Sequence, residues 1–235
     1  MFNSRLQVQT LRMSSGNHCY VVDDALLDPE AAVQYAVDHR ALFTPSPPNG
    51  YPGLTLAPSA SMGRAVLEFH ADHMRRRFDA RRLTYGFCRY SMVTLPAEQL
   101  SPAQMLCHRD DPPVNNQHSI SAAVLYLFHD PLLGGTSFYE AARSLEDTDR
   151  IFNDAKRLSS GEFTAKYHMP PAYMSGSNAY FTRVAKVEAR WNRLVFYDGA
   201  LLHLGDIGAP EKLCADPATG RLTLNFFFSS RRNLT

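Results

Sequence analysis

A chain of 235 residues is long enough to bury one sizeable core. Hydrophobic residues make up 45% and charged residues 20%, the balance of an ordinary folded protein rather than a disordered or fibrous one. A formal net charge of +1 provides no strong field to steer a polyanion, so no nucleic-acid partner is expected. No run of about 18 apolar residues occurs, so no membrane partner is expected either. Met1–Met13 lacks the apolar stretch of a secretory signal. The expected location is the cytoplasm, where Cys19, Cys88, Cys107 and Cys214, none of them in a CxxC pair, stay as reduced thiols.

Residues 17–24 (NHCYVVDD) read as a short strand. Asp28-Pro29-Glu30 reads as a helix start, with an N-cap, a proline in the first turn and an acid near the positive pole, and the helix runs to about Leu42. The proline- and glycine-rich stretch Thr44–Leu54 is a loop long enough to cover a cleft. A second helix is predicted over Met62 to about Arg82. Its basic end, Arg75-Arg76-Arg77 and Arg81-Arg82, suits the negative pole of a helix better than a nucleic-acid patch. From Tyr85 the pattern turns to strands: Tyr85–Leu95, a short piece at Met105–His108, Ser119–Phe128, and a Gly134-Gly135 turn into Thr136–Tyr139. Leu145–Tyr167 interrupts with helical or irregular structure. Strands resume at Ala179–Val187, Leu194–Tyr197, Leu201–Leu204 and Leu222–Ser229. Many short strands after a helical start predict a single domain that is mainly β with flanking helices: residues 1–84 as helical support and loop, 85–235 as a jelly-roll core with an insertion at 141–178. That insertion is expected to act as a lid or a homodimer contact, with a helix packed outside the sheet as the alternative.

The chemistry is carried by His108-Arg109-Asp110. In an extended segment residues i and i+2 point to the same side, so His108 and Asp110 can hold one ion together. His203, in LLHLGD after the strand NRLVFYDG, can complete a two-histidine, one-carboxylate set. Such a set holds iron(II) on one face and leaves the other open. Asp111, next to Asp110, would face away, as would Cys107 next to His108. His70 and His73 have no third ligand nearby and are expected on an exposed helix surface. His118, His129 and His168 fall in predicted loops, and Pro112–Asn116 is expected to border the cleft. The alternative to a metal site is three unrelated residues, with His203 a hydrogen-bonded core histidine.

From His108 to Phe228 the chain resembles the 2-oxoglutarate- and iron(II)-dependent dioxygenases, in particular their prolyl-4-hydroxylase-like branch. The resemblance lies in an ordered series: His108-Arg109-Asp110, Tyr126-Leu127, Gly134-Gly135-Thr136, Leu194-Val195-Phe196, His203 and Arg221. It implies a double-stranded β-helix (jelly roll, cupin-like) core, with His108, Asp110 and His203 as iron ligands. Arg221 would grip the distal carboxylate of 2-oxoglutarate, whose two oxygens match a guanidinium fork. Tyr126 would donate to the same carboxylate, with a core tyrosine as the alternative. Period two places Thr223 and Asn225 on the face of Arg221, where they would line the same pocket. Arg221 lies farther beyond the second histidine than is usual in the family, and the turn-rich stretch 207–220 reads as an enlarged loop that preserves strand register.

The implied cofactors are Fe(II), 2-oxoglutarate and O2, with ascorbate as a stimulant. The implied reaction is hydroxylation of an unactivated C–H bond in a small molecule, an amino acid or a peptidyl side chain, with desaturation and cyclisation left open. Retention of Asp110 argues against halogenation, because halogenases of this superfamily replace the carboxylate with a small residue. Two other readings use the same residues. A cupin-like metal- or ligand-binding module would have no use for an open iron site beside a dicarboxylate clamp. A zinc hydrolase would work without oxygen.

Overall fold

A computed structural model describes residues 2–47, 50–110 and 117–233. The N-terminal segment begins with β1 (Val8–Arg12) and β2 (His18–Val22), then α1 (Pro29–Asp38). Asp28 caps α1 by accepting the Ala31 N–H at 2.9 Å. Two short strands follow, β3 (Thr44–Pro45) and β4 (Gly53–Leu56), paired antiparallel, so both ends of the predicted loop are strand. Helix α2 (Ala60–Phe69) starts at the Ser59 cap and buries Met62, Val66 and Phe69, one stripe at helical spacing.

That helix does not reach Arg82. It loosens into a π turn at His70–Met74 and a 3-10 turn at Arg75–Phe78, then stops at Asp79, whose φ of 51° is left-handed. Arg81 and Arg82 therefore lie on β5 (Ala80–Val93), not at a helix end. The structure also corrects His70: it is fully buried, stacked on Phe228 at 4.1 Å, with its Nε2 3.3 Å from Ser121 Oγ. His118 begins β6 instead of lying in a loop. The piece expected as a strand at Met105–His108 is instead the end of α3 (Pro102–Met105) followed by extended chain.

The remaining elements are β6 (His118–Tyr126), β7 (Thr136–Ala141), α4 (Leu145–Arg157), α5 (Ser160–Tyr167), β8 (Phe181–Val187), β9 (Leu194–Asp198), β10 (Leu202–Gly205) and β11 (Leu222–Arg232). They form two antiparallel sheets. The large one has the order β1-β2-β9-β6-β11-β5-β4-β3 and the small one β10-β7-β8. His108 adds an antiparallel bridge to His203 on the free side of β10. The inner strands β5-β11-β6-β9 thus oppose the 108 segment, β10, β7 and β8, which is the double-stranded β-helix. Four strands of the large sheet, β1 to β4, come from the first 56 residues.

Alternation along β11 defines the layers. Leu222, Leu224, Phe226 and Phe228 face the helices, packing with Tyr90, Leu125 and Phe196 against Met62, Val66 and Phe69. Each such burial contributes roughly 1.5–3 kcal/mol. The opposite face carries Arg221, Thr223, Asn225 and Phe227 and looks toward the small sheet. There Ala122, Tyr126, Val195 and Tyr197 meet Phe138 and Val187, with Phe138 and Tyr197 edge to face at 5.2 Å. The insertion lies on the far side of the small sheet. Ile151, Ala155 and Phe163 pack with Tyr139, Phe181, Leu202 and Leu204, whose neighbours Phe138 and His203 face inward. That is the arrangement of helices packed outside a sheet. No helix among the described residues is long and apolar enough to cross a membrane.

Candidate metal centre

After α3 the chain extends, and His108 pairs with His203 through both backbone bonds: N–H to carbonyl at 3.0 Å one way and 2.8 Å the other. Extension turns Cys107 outward into the apolar layer beneath the insertion. It brings Asp110 back to the side of His108. The Asp110 N–H donates to Gly199 O at 2.9 Å, and the Gly199 N–H to Ile120 O at 3.0 Å, so the carboxylate is moored to the β9–β10 turn and to β6. One donor atom from each of His108, Asp110 and His203 lies within 4.8 Å of the others. His203 Nε2 is 3.8 Å from Asp110 Oδ1, and the two imidazole centroids are 4.5 Å apart. Gly199 permits this closeness: a Cβ there would stand 2.7 Å from Asp110 Oδ2 and 2.8 Å from Ile120 Cγ2.

His203 is buried, and its Nδ1 lies 2.8 Å from Leu201 O. A carbonyl only accepts, so Nδ1 carries the proton and Nε2 presents its lone pair to the cluster. Burial pushes the His203 pKa down to about 4. His108 stands at the mouth of the site with part of its side chain exposed. Its ring is nevertheless hemmed in by protein, and that desolvation, with His203 beside it, also lowers its pKa to about 4. Both imidazoles are neutral near pH 7. Two neutral imidazoles and one carboxylate, converging from one side, fit a divalent iron.

Arg221, just ahead of β11, is buried behind this cluster. Its Nε donates to Leu133 O at 2.8 Å and Gly134 O at 3.2 Å, and its Nη2 to Gly135 O at 3.0 Å. The glycine turn makes those carbonyls reachable: Gly134 has φ +85°, and a Cβ on it would stand only 1.7 Å from Asp206 O. The Nε/Nη2 edge is held by the turn, and the buried Tyr51 hydroxyl lies beside the guanidinium. Gly205 lies against it, at 3.2 Å from its Cβ position to Nη2.

Thr223 and Asn225 share the inner face with Arg221. The Thr223 hydroxyl donates to Ser91 O at 3.2 Å, and Asn225 Oδ1 is buried without a hydrogen bond. The Tyr126 hydroxyl is 2.7 Å from Thr136 Oγ1, and burial raises its pKa to about 12, so it stays protonated. Asp111 and Pro112–Asn116 lie outside the described residues.

Sequence reasoning gave no site role to two side chains here. Arg89, Asn225's cross-strand partner on β5, sits with its guanidinium 5.5 Å from the Phe227 ring and 5.9 Å from the Tyr51 ring. The Tyr51 hydroxyl is buried beside Arg221 and Thr223. A signal for Arg89 was available: it is the lone charge in the strand FCRYSMV.

The two opposed sheets, with His108, Asp110 and His203 gathered between them, define a double-stranded β-helix protein with a candidate metal centre. Residues 4–228 match a family of unknown function, DUF6445, and the chain belongs to that family. No curated protein matches significantly. Among solved structures, the non-heme α-ketoglutarate-dependent carbocyclase SnoK of nogalamycin biosynthesis is similar with a TM-score of 0.51 at 14% identity, over 90% of this chain and 79% of that one. A Pseudomonas putida prolyl-4-hydroxylase scores 0.49 at 14% identity over 93% and 95%. An N-substituted L-amino acid dioxygenase from Burkholderia ambifaria, in complex with α-ketoglutarate, scores 0.45 at 11% over 99% and 100%. At these identities the likeness is one of fold.

Proposed function

We propose that this protein is an Fe(II)- and 2-oxoglutarate-dependent oxygenase that hydroxylates a C–H bond of a small molecule or an amino-acid-like or peptidyl substrate. The observation that carries the reading is the pairing, inside one double-stranded β-helix, of the His108/Asp110/His203 cluster with Arg221 on the same inner face. A zinc hydrolase or a simple binding module accounts for the first of these but not for the second.

His108 Nε2 or Nδ1, His203 Nε2 and one Asp110 oxygen would hold the iron. Iron(II), with 2-oxoglutarate and dioxygen, supplies the oxidising power to break an unactivated C–H bond, releasing succinate and carbon dioxide. Arg221 binds the distal carboxylate of the cosubstrate through its Nη1/Nη2 edge, and the Leu133–Gly135 carbonyls orient that edge in advance. Tyr51, Thr223 and Tyr126 supply hydroxyls beside it. Phe138, Tyr197 and Val195 keep water from the inner wall.

Purified protein given iron(II), ascorbate and 2-oxoglutarate is expected to bind the cosubstrate and release succinate slowly without substrate. Asp110→Ala abolishes iron-dependent turnover and Asp111→Ala does not. Absence of both metal and 2-oxoglutarate binding in the wild type refutes the reading, and the reverse result for the two aspartates reassigns the ligand.

A further inference from the structure

Arg89 has no hydrogen-bond or ion-pair partner among the described residues, and its Nε is buried. A half-buried guanidinium without a direct ion pair is costly, and burial accordingly lowers its pKa, opposed by Tyr51 and by the more distant Asp110. One more polar atom beside it, Asn225 Oδ1 across the strand pair, also has no hydrogen bond among the described residues. The donor fork and the Asn225 amide thus share the inner face within charge reach of Asp110.

Outward from Arg89 the same face becomes aromatic. Phe227 and Phe87 stack at 4.9 Å and 14°, and Tyr85 continues the row at 6.2 Å from Phe87. Tyr85 is 63% and Phe87 39% exposed, unusual for large rings on the concave side of a β-helix. Phe87 and Arg89 also border an open cleft of about 500 Å³ at the β4 edge. A cation at the inner end of an exposed aromatic row matches a ligand with a carboxylate at one end and an apolar body of ring size.

We propose that Arg89, flanked by Asn225, anchors a carboxylate of the substrate to be oxidised, whose apolar body lies on Phe227, Phe87 and Tyr85. The proposal rests on the oxygenase reading. Carboxylate recognition at Arg89 has two sources, the substrate and the cosubstrate, and the exposed rings, which run from Arg89 past the level of Tyr197 toward the Asp110–Gly199 end of the sheets and away from Arg221, favour the substrate.

The test uses the full chain, 3-phenylpropionate as probe and 3-phenylpropionamide as its neutral counterpart. Binding is followed by calorimetry on metal-free protein and again with manganese(II) and 2-oxoglutarate. The acid is expected to bind at least tenfold tighter than the amide. Arg89→Gln removes that preference and leaves 2-oxoglutarate affinity within twofold, Arg89→Lys retains part of it, and Phe87→Ser weakens acid and amide alike. Equal binding of acid and amide, no binding of the acid, or an unchanged preference in Arg89→Gln overturns the proposal. So does a tenfold loss of 2-oxoglutarate affinity in Arg89→Gln, which assigns Arg89 to the cosubstrate. Because the metal-free arm needs no iron, failure of the oxygenase reading shows separately, as a wild type that prefers the acid but binds neither iron nor 2-oxoglutarate.

Discussion

Gly199→Ala is a one-methyl test of whether Asp110 is a metal ligand. Gly199 has no positive φ, so alanine is tolerated by the backbone itself. The new Cβ would stand 2.7 Å from Asp110 Oδ2, against 3.4 Å for ordinary contact, so one of them must yield by about 0.7 Å. Ile120 Cγ2 at 2.8 Å closes another side, and the Asp110 backbone is tied to Gly199 O, which leaves rotation of the carboxylate as the easiest relief. Metal–ligand distances tolerate about 0.2 Å, so a shift of this size removes a good bond. Iron(II) or manganese(II) affinity should fall about 10- to 100-fold, the loss typical when the support of a ligand is removed. Crowding should also lower stability by about 1–3 kcal/mol, so the titration belongs well below the variant's Tm. Gly205→Ala is the control: its Cβ meets Arg221 Nη2 at 3.2 Å and should weaken 2-oxoglutarate binding about tenfold with metal affinity intact. Wild-type metal affinity in a folded Gly199→Ala protein would refute the placement of Asp110 in the first coordination sphere.

Two further expectations concern stability. Asn192 sits at φ 58° and bonds both backbone groups of buried Leu26 at 2.9 Å, clasping the N-terminal segment to the β8–β9 turn. Asn192→Ala orphans both groups and should cost about 3 kcal/mol, lowering Tm by roughly 10 °C; a shift under about 2 °C in a melting curve contradicts the clasp. Burial lowers the His70 pKa to about 4, with Arg75 adding to the shift, so the folded state holds a neutral ring. The unfolded chain protonates it near pH 6.5, so its share of stability is present above that pH and fades as pH falls toward 4. Urea denaturation should show the wild type losing about 2 kcal/mol relative to His70→Phe between pH 6.5 and 5; parallel curves rule this out.

Much of the β-helix was legible because its strands alternate or run apolar between clear turns, as in SISAAVLYLF and LTLNFFF. Two strands hid for a physical reason. β1 is an edge strand, paired only with β2 and largely solvated, so its sequence VQTLR carries no apolar face. The first half of β5 is held by backbone pairing to the end of β11, Leu83 to Ser230 and Arg82 to Arg231, while its side chains stay mostly outside. Its basic residues therefore read as the tail of a helix. His70 was misplaced because a histidine on a helix gives no sign of which face it occupies, and here Phe228, far along the chain, covers it.

In the candidate site, the spacing of His108 and Asp110 is local and so was readable, and His203 stood out beside its strand. Tyr51 was not readable, and the lone charge in its strand marked Arg89 without placing it, since only the pairing of β4 with β5, and of β5 with β11, carries them to the inner face.

The backbone pairing of His108 with His203 has a mechanical consequence. Two candidate ligands are opposite rungs of a single ladder, so their separation is set by interstrand spacing and not by the ion. Where ligands come from loops, the metal acts as a staple, and its removal loosens the fold. Here an ion would be a guest in a socket that the sheets have already built, so chelation should leave hydrogen-exchange protection at both histidine amides unchanged. The same rigidity would let one divalent ion replace another without refolding, so the identity of a bound ion would be governed by supply as well as by shape.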